Sequence, residues 1–324
     1  MEKRSPFRNF IRSKLFTLLI MLILLVVVLT ITTRGSLVKI TNIRQILDQM
    51  FVPAMLTIAA GILMISGNID LSSGVVGTYA GIMMVYLVNV AGWPWYFAIA
   101  VTLLVSLVFG IMNAVMINEL NFPGFVATLA TASMVEGISF VYSGGATINL
   151  RHDFLKYLGN GRLFGEIPLS VILLAAAFII YGLILSRSKF GRQVYLVGGN
   201  PNAARLSGVN PKRVSYTLFV NSALLASLAG MFLAFRVSSA TSQGIKANQF
   251  TGITAAILGG ISFGGGSGNM TGAFVGLLIL TAFSNGMILL GFDSYWRPVI
   301  SGALLILALV IDYISIRRTA KSMK

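Results

Sequence analysis

What most limits the fold of this chain is a succession of long apolar runs with almost no charge inside them. "LFTLLIMLILLVVVLTI" (15–31) is the first. About 20 helical residues cross the hydrocarbon core of a bilayer. In lipid every backbone N–H and C=O must be satisfied within the protein, which leaves helices and closed barrels. These runs are continuous rather than alternating, so they read as helices and not as barrel strands. The predicted fold class is therefore all-α, a polytopic membrane protein with about ten transmembrane helices. The segments are roughly 15–33, 43–66, 73–90, 95–117, 124–142, 168–186, 214–236, 270–290 and 296–313, with a weaker, glycine-rich one at 248–263. That last segment is short enough to be either a full span or a re-entrant hairpin. The breakers between runs are "GWPW" (92–95), "NFPG" (121–124) and "GGGSG" (264–268).

Only 10% of the residues are charged, against about a quarter in soluble domains. Residues 1–324 read as a single transmembrane domain. The first run is longer than the apolar core of a signal peptide, and no A-x-A site follows it, so it reads as a retained span. The net charge of +15 does not point to nucleic acid, because the basic residues lie at the ends of apolar segments rather than on one soluble face. Lys3, Arg4, Arg8, Arg12 and Lys14 precede the first run, and Arg317, Arg318, Lys321 and Lys324 follow the last. Arg187, Lys189, Arg192, Arg205, Lys212 and Arg213 lie in the loop 187–213. Together these make more than half of the 24 Lys and Arg. They predict cytoplasmic termini, a cytoplasmic tail about 1–14, a cytoplasmic loop about 187–213 and an external loop about 143–167. Arg34, Lys39 and Arg44 run against that pattern. The chain has no cysteine and one histidine, His152, which excludes disulfides, Cys-ligated metals and multi-His sites. No metal, cofactor or catalytic residue is expected.

Charge inside a span is costly, so each instance is a functional candidate. Asp70, Glu119, Glu136, Arg236, Asp293, Arg297 and Asp312 are the ionisable residues noted within or beside the spans. Several sit at span ends, where anchoring or local pairing accounts for them. Glu136 lies well inside 124–142 and must face protein or a wet cavity, or be protonated. Asp70 follows a break at Gly67, and either Asp70 or Ser72 can cap the next helix. Asn113, Thr128, Thr131, Asn221 and Asn285 recur within spans. They suit hydrogen bonding to a neutral hydroxylated solute, and equally bonding between helices.

One stretch looks out of place. "GGNPNAARLSG" (198–208) reads as a short capped helix: Asn200 as cap, Pro201 at the first position, Ala203, Ala204, Arg205 and Leu206 continuing it, and Gly208 stopping it. A membrane pathway driven by a soluble motor needs such a protrusion. The expectation is that Ala203, Ala204 and Leu206 dock in a groove of the motor, with Arg205 at the rim.

Four stretches, in order and at matching spacing, resemble the permease subunits of bacterial ABC importers for monosaccharides, the ribose, galactose, arabinose and xylose group. "SGNIDLSSG" (66–74) is similar to that family's Gly-Gly-Ile-Asp-Leu-Ser-Val-Gly signature, and "FVATLAT" (125–131) to its Phe-Ile-x-Thr-Leu-Gly-Thr segment. "SKFGRQVYLVGGNPNAARLSGVN" (188–210) resembles its main cytoplasmic loop, and "AAILGGISFGGGSG" (255–268) its late glycine-rich motif. "SNGMILLGFDSYW" (284–296) also fits. Departures fall at Gln249, Phe250 and Thr251, where an acidic pair is common, and at Glu136 and Ser301. The resemblance implies a type-II-like ABC importer permease in the bacterial inner membrane, moving a monosaccharide or related small polar solute by alternating access. It implies a separate ATPase with two fused nucleotide-binding domains, an extracytoplasmic sugar-binding protein, and a second permease chain, identical or paralogous. The chain has no Gly-x-x-x-x-Gly-Lys-Ser/Thr phosphate loop, so it does not supply the ATPase. The alternative class is an ion-coupled secondary transporter.

Overall fold

The computed structural model describes residues 14–322 except 164, 166 and 294; of the side chains within that range, those of 14, 297, 311, 312 and 314–322 are not described. The basic tail before Lys14, and the side chains of Arg297, Asp312 and the terminal lysines and arginines, lie outside that description. The expected all-α architecture is present. The helices are α1 (Lys14–Thr32), α2 (Ile40–Ile65), α3 (Ser73–Asn89), α4 (Trp95–Asn118) and α5 (Gly124–Ser143). Then come α6 (Asp153–Asn160), α7 (Leu169–Arg187), α8 (Lys189–Gly199), α9 (Pro201–Leu206) and α10 (Pro211–Val237). The last are α11 (Asn248–Leu258), α12 (Met270–Leu289) and α13 (Trp296–Ser322). Sheet is confined to two-residue ladders: β1 (Ile148–Asn149) pairs antiparallel with β4 (Ser239–Ala240), and β2 (Arg162–Leu163) with β3 (Ile167–Pro168).

Seven described helices, α1, α2, α4, α5, α7, α10 and α12, are long and apolar enough to cross a membrane; α3 and the stretch 298–310 of α13 are apolar but shorter. Their placement follows from what covers them. The most apolar windows of α2 and α10 are 78% and 72% buried, and that of α1 only 11%. α2 and α10 thus form the centre, with α1, α4, α5 and α7 presenting one side outward. No side chain separates α3 from α10 at their crossing: a Cβ on Gly77 would meet the Ala226 carbonyl, and one on Gly230 the Gly77 carbonyl. Small residues allow that approach, and close packing substitutes for the hydrophobic driving force that lipid does not supply. Pro53 sits inside α2 and leaves the Gln49 carbonyl without its helical N–H partner, and in the following turn Thr57 Oγ1 donates to the Pro53 carbonyl at 2.7 Å.

Two ends of the bundle can be told apart. One carries the β1–β4 ladder. The other carries α9, the C-terminus of α2 and the glycine-rich loop after α11, where the Gly266 N–H donates to the Ile65 carbonyl at 2.8 Å. The segment 248–263 is helical only to Leu258. Residues 241–247 lead to it from β4 along α3, with the Ile245 N–H donating to Thr78 Oγ1 at 3.1 Å. The two ends of 241–266 therefore lie at opposite ends of the bundle. The stretch 241–266, half irregular and half helical, thus runs from one end of the bundle to the other without turning back on itself, and 248–263 is its second half.

Candidate functional site

The break after α2 collects polar side chains from five parts of the chain. Asp70 Oδ1 accepts from the Ser72 N–H at 2.8 Å and the Ser72 hydroxyl at 2.6 Å, and Oδ2 from the Ser222 hydroxyl of α10 at 2.7 Å. Asn113 of α4 donates to Ser72 Oγ at 2.9 Å and accepts from Thr131 of α5 at 2.6 Å. All these residues are buried. A buried polar group without a partner costs about 1–3 kcal/mol, and here each is matched, so the network fixes how the helices pack around the break.

The capping expectation needs correction. Ser72 occupies the N-cap position of α3, but its side chain makes no capping bond. Asp70 turns back onto Ser72 in a local turn. The cap comes from 175 residues away: Gln249 Oε1, at the start of α11, accepts from the Gly74 N–H and from the Ser73 hydroxyl, and its Nε2 donates to the Asp70 carbonyl at 2.8 Å. Sequence reading missed Gln249. The available signal was the adjacent amides Asn248 and Gln249 at the head of an otherwise apolar segment, which lipid would not accept without partners.

The other proposed path residues do not join this network. Thr128 is buried and bonds back to the Gly124 carbonyl at 2.8 Å. Asn221 accepts from the Tyr181 hydroxyl and lines a cavity of about 230 Å³ with Ile62, Phe190 and Leu218. Asn285 accepts from Asn42 at 2.8 Å and lines a cavity of about 190 Å³ between α2, α11, α12 and α13. Glu136 has a partner that the sequence did not reveal: Lys246 Nζ lies 2.5 Å from its Oε1. Glu119 pairs with Lys212 at 2.7 Å. Arg236 donates to the Asp48 carbonyl, and Asp48 faces Arg162 at 3.5 Å. Asp48 was absent from the sequence-derived candidates.

At the other end, α9 has the anticipated form. Asn200 Oδ1 accepts from the N–H groups of Asn202 and Ala203 at 3.0 and 3.1 Å, Pro201 opens the helix, and Gly208 has φ +79. That φ favours glycine, and a side chain there would be strained although space is open. The docking expectation is corrected at one residue. Ala204 is 1% exposed and packs into the permease's own core, whereas Leu206 is 92% exposed and Ala203 and Arg205 are exposed. The Gly198 backbone lies against Ile65 and Gly266. Nearby, the Tyr195 hydroxyl donates to the Gly268 carbonyl at 2.8 Å, and burial raises its pKa from the ordinary phenol value. So α8, which leads directly into α9, is seated on the end of α2, next to the break that carries Asp70.

The bundle is thus built around a buried polar break, with a short capped helix at one end. Residues 42–309 match the family described as branched-chain amino acid transport system / permease component. The chain belongs to that permease family. It is 30% identical over 277 residues to the ribose import permease protein RbsC of Escherichia coli K12, covering 84% of this chain and 86% of the relative. To the ribose import permease protein RbsC of Bacillus subtilis 168 it is 30% identical over 274 residues, with 84% of each chain covered. To the L-arabinose transport system permease protein AraH of Escherichia coli K12 it is 33% identical over 257 residues, covering 79% of this chain and 78% of the relative.

Proposed function

We propose that this permease is the membrane subunit of an ATP-driven importer that carries a monosaccharide or a related small neutral polar solute across the bacterial inner membrane by alternating access. The observation that carries the reading is α9. It presents an exposed Leu206 beyond the bundle while Ala204 anchors it in the core. An ATPase that grips this protrusion would move the end of α2 through α8, whose Gly198 lies against Ile65. Binding and hydrolysis of ATP on that partner would then shift the populations of two permease states. In this reading ten crossings place both termini and the 187–213 loop in the cytoplasm, and the 143–167 loop outside. An extracytoplasmic binding protein docks there. Two permease chains, identical or paralogous, share the pathway, and the ATPase carries two fused nucleotide-binding domains.

The sugar reading is supported by the named activities of the relatives and by a pathway chemistry of hydroxyls and amides, which suits uncharged solutes. An ion-coupled transporter has less support, because Asp70 and Glu136 both have partners. The decisive experiment purifies the complex, reconstitutes it, and screens sugars for ATPase stimulation that requires the binding protein. Stimulation by one or a few sugars is expected. Solute uptake driven by an ion gradient without ATP would refute the reading.

A further inference from the structure

The Glu136–Lys246 pair is not absorbed by the buried network. Lys246 belongs to the irregular stretch 241–247, whose backbone is pinned to α3: the Ile245 N–H bonds Thr78, and the Lys246 carbonyl lies against Gly74. From that fixed backbone the side chain reaches to Glu136 on α5. Glu136 is seven residues from the end of α5 nearer the β1–β4 ladder, about 10 Å along the axis. A lysine at that depth facing lipid would extend toward the interface. This one stays on the carboxylate.

The pair is also open. The Lys246 and Glu136 side chains are 45% and 33% exposed. Hydrocarbon against that surface would leave two charges partly desolvated and short of partners. A carboxylate has about four acceptor sites, and an ammonium three donors. One mutual bond leaves most of them to water or hydroxyls. The same face of α5 continues through Ala130, Ser133 and Gly137, all exposed and all small, so there is room beside the pair. On α7, by contrast, the exposed surface includes large apolar side chains such as Ile179, 61% exposed.

We infer that Glu136 and Lys246 form a water-facing hydroxyl-binding station in the solute path, on the half nearer the β1–β4 ladder, with the Ser133 side of α5 as its floor. Two neighbouring hydroxyls of a polyol donate to the Glu136 carboxylate, and a hydroxyl oxygen accepts from the Lys246 ammonium. The paired charges sum to zero, so the station favours a neutral polyhydroxylated solute over an anion or a cation. This rests on the transport reading above and adds to it the pair, Lys246 in particular, as a specificity determinant.

The chain has no cysteine, so single cysteines report cleanly. In the reconstituted complex, Ser133→Cys should react with a membrane-impermeant maleimide, and Ile179→Cys should not. Millimolar D-ribose or L-arabinose, delivered with the binding protein, should slow labelling of Ser133→Cys. Adding Glu136→Gln or Lys246→Met should leave labelling fast but lower the sugar's protection about tenfold, the equivalent of one charge-assisted bond. A Ser133→Cys as inert as Ile179→Cys overturns the inference, because the face is then lipid-covered. Protection unchanged by either substitution also overturns it, because the pair is then only a strut. If no sugar stimulates the complex, the substrate reading fails, while the labelling contrast still reports whether the face is wet.

Discussion

Two adjacent glycines make opposite predictions. A Cβ on Gly198 would fall against the Ile65 carbonyl oxygen, 2.9 Å from the Ile65 carbonyl carbon and 2.7 Å from the Gly266 nitrogen; a Cβ on Gly199 meets nothing within 4 Å. The three nearest neighbours of that Cβ are all backbone, so no rotamer change relieves the contact. Gly198→Ala must push α8 away from the end of α2 and from the 264–268 loop. The bond from Gly266 N to Ile65 O, now 2.8 Å, would stretch or break. Overpacking of this kind costs about 1–3 kcal/mol and the lost bond about 1 kcal/mol, so Gly198→Ala should destabilise by about 2–4 kcal/mol. Gly199→Ala should sit within about 0.5 kcal/mol of wild type. Unfolding midpoints in mixed detergent, on purified single variants, measure both. The coupling consequence is read separately, as solute moved per ATP hydrolysed in liposomes, which Gly198→Ala should lower and Gly199→Ala should not. Equal midpoints for the two variants would refute the close approach and the mechanical link built on it.

Gln249→Leu removes the remote cap of α3 and leaves the Ser73 hydroxyl, the Gly74 N–H and the Asp70 carbonyl without that partner, so a loss of about 3 kcal/mol in the same unfolding assay is expected. Leu206→Asp, on an exposed side chain, should leave folding intact and weaken ATPase co-purification. Ala204→Arg, at a buried site, should instead reduce the yield of folded permease before any partner is added. The raised phenol pKa of Tyr195 means that the folded state holds that proton more tightly than the unfolded chain. Its stability contribution is therefore complete below about pH 10 and falls as pH climbs toward the raised value. Tyr195→Phe should abolish that alkaline component, seen by comparing midpoints at neutral and alkaline pH.

The long helices were legible because twenty apolar residues in a row have few other fates. Terminal cap chemistry was equally plain where it is local: Asn200, Pro201 and Gly208 act within their own turn. What stayed hidden is what depends on distant chain segments meeting. Gln249 caps a helix 175 residues earlier, and Lys246 finds Glu136 across 110 residues. No periodicity reports either pairing. Local geometry also misled in two places. Asp70 and Ser72 had the right chemistry to cap α3, but Asp70 bonds Ser72 and Ser222 instead. Ala204 belongs to a helix of six residues, too short for a pattern to show which face turns inward. Thr128, Asn221 and Asn285 were grouped with Asn113 as alike polar interruptions, yet they lie at separate places and bond separate partners.

The half-irregular crossing at 241–258 bears on how the chain is made. "TSQGIKANQFTGITAAIL" carries a lysine, two glutamines and an asparagine in its first half, and an insertion machinery that partitions segments by hydrophobicity would not release it into lipid alone. Its irregular first half makes only a few turn bonds of its own, such as Lys246 N–H to the Gln243 carbonyl at 3.1 Å, and so shields less of its backbone than a helix would. The receiving groups, Thr78 and Gly74 on α3 and the Asp70 carbonyl, are synthesised well over a hundred residues earlier and are already embedded when this stretch emerges. Entry of 241–258 is therefore a folding event, guided by sites waiting in the half-built bundle, and not an independent insertion. A chain whose α3 is damaged would fail at this late step, with its earlier helices correctly threaded and its last ones displaced.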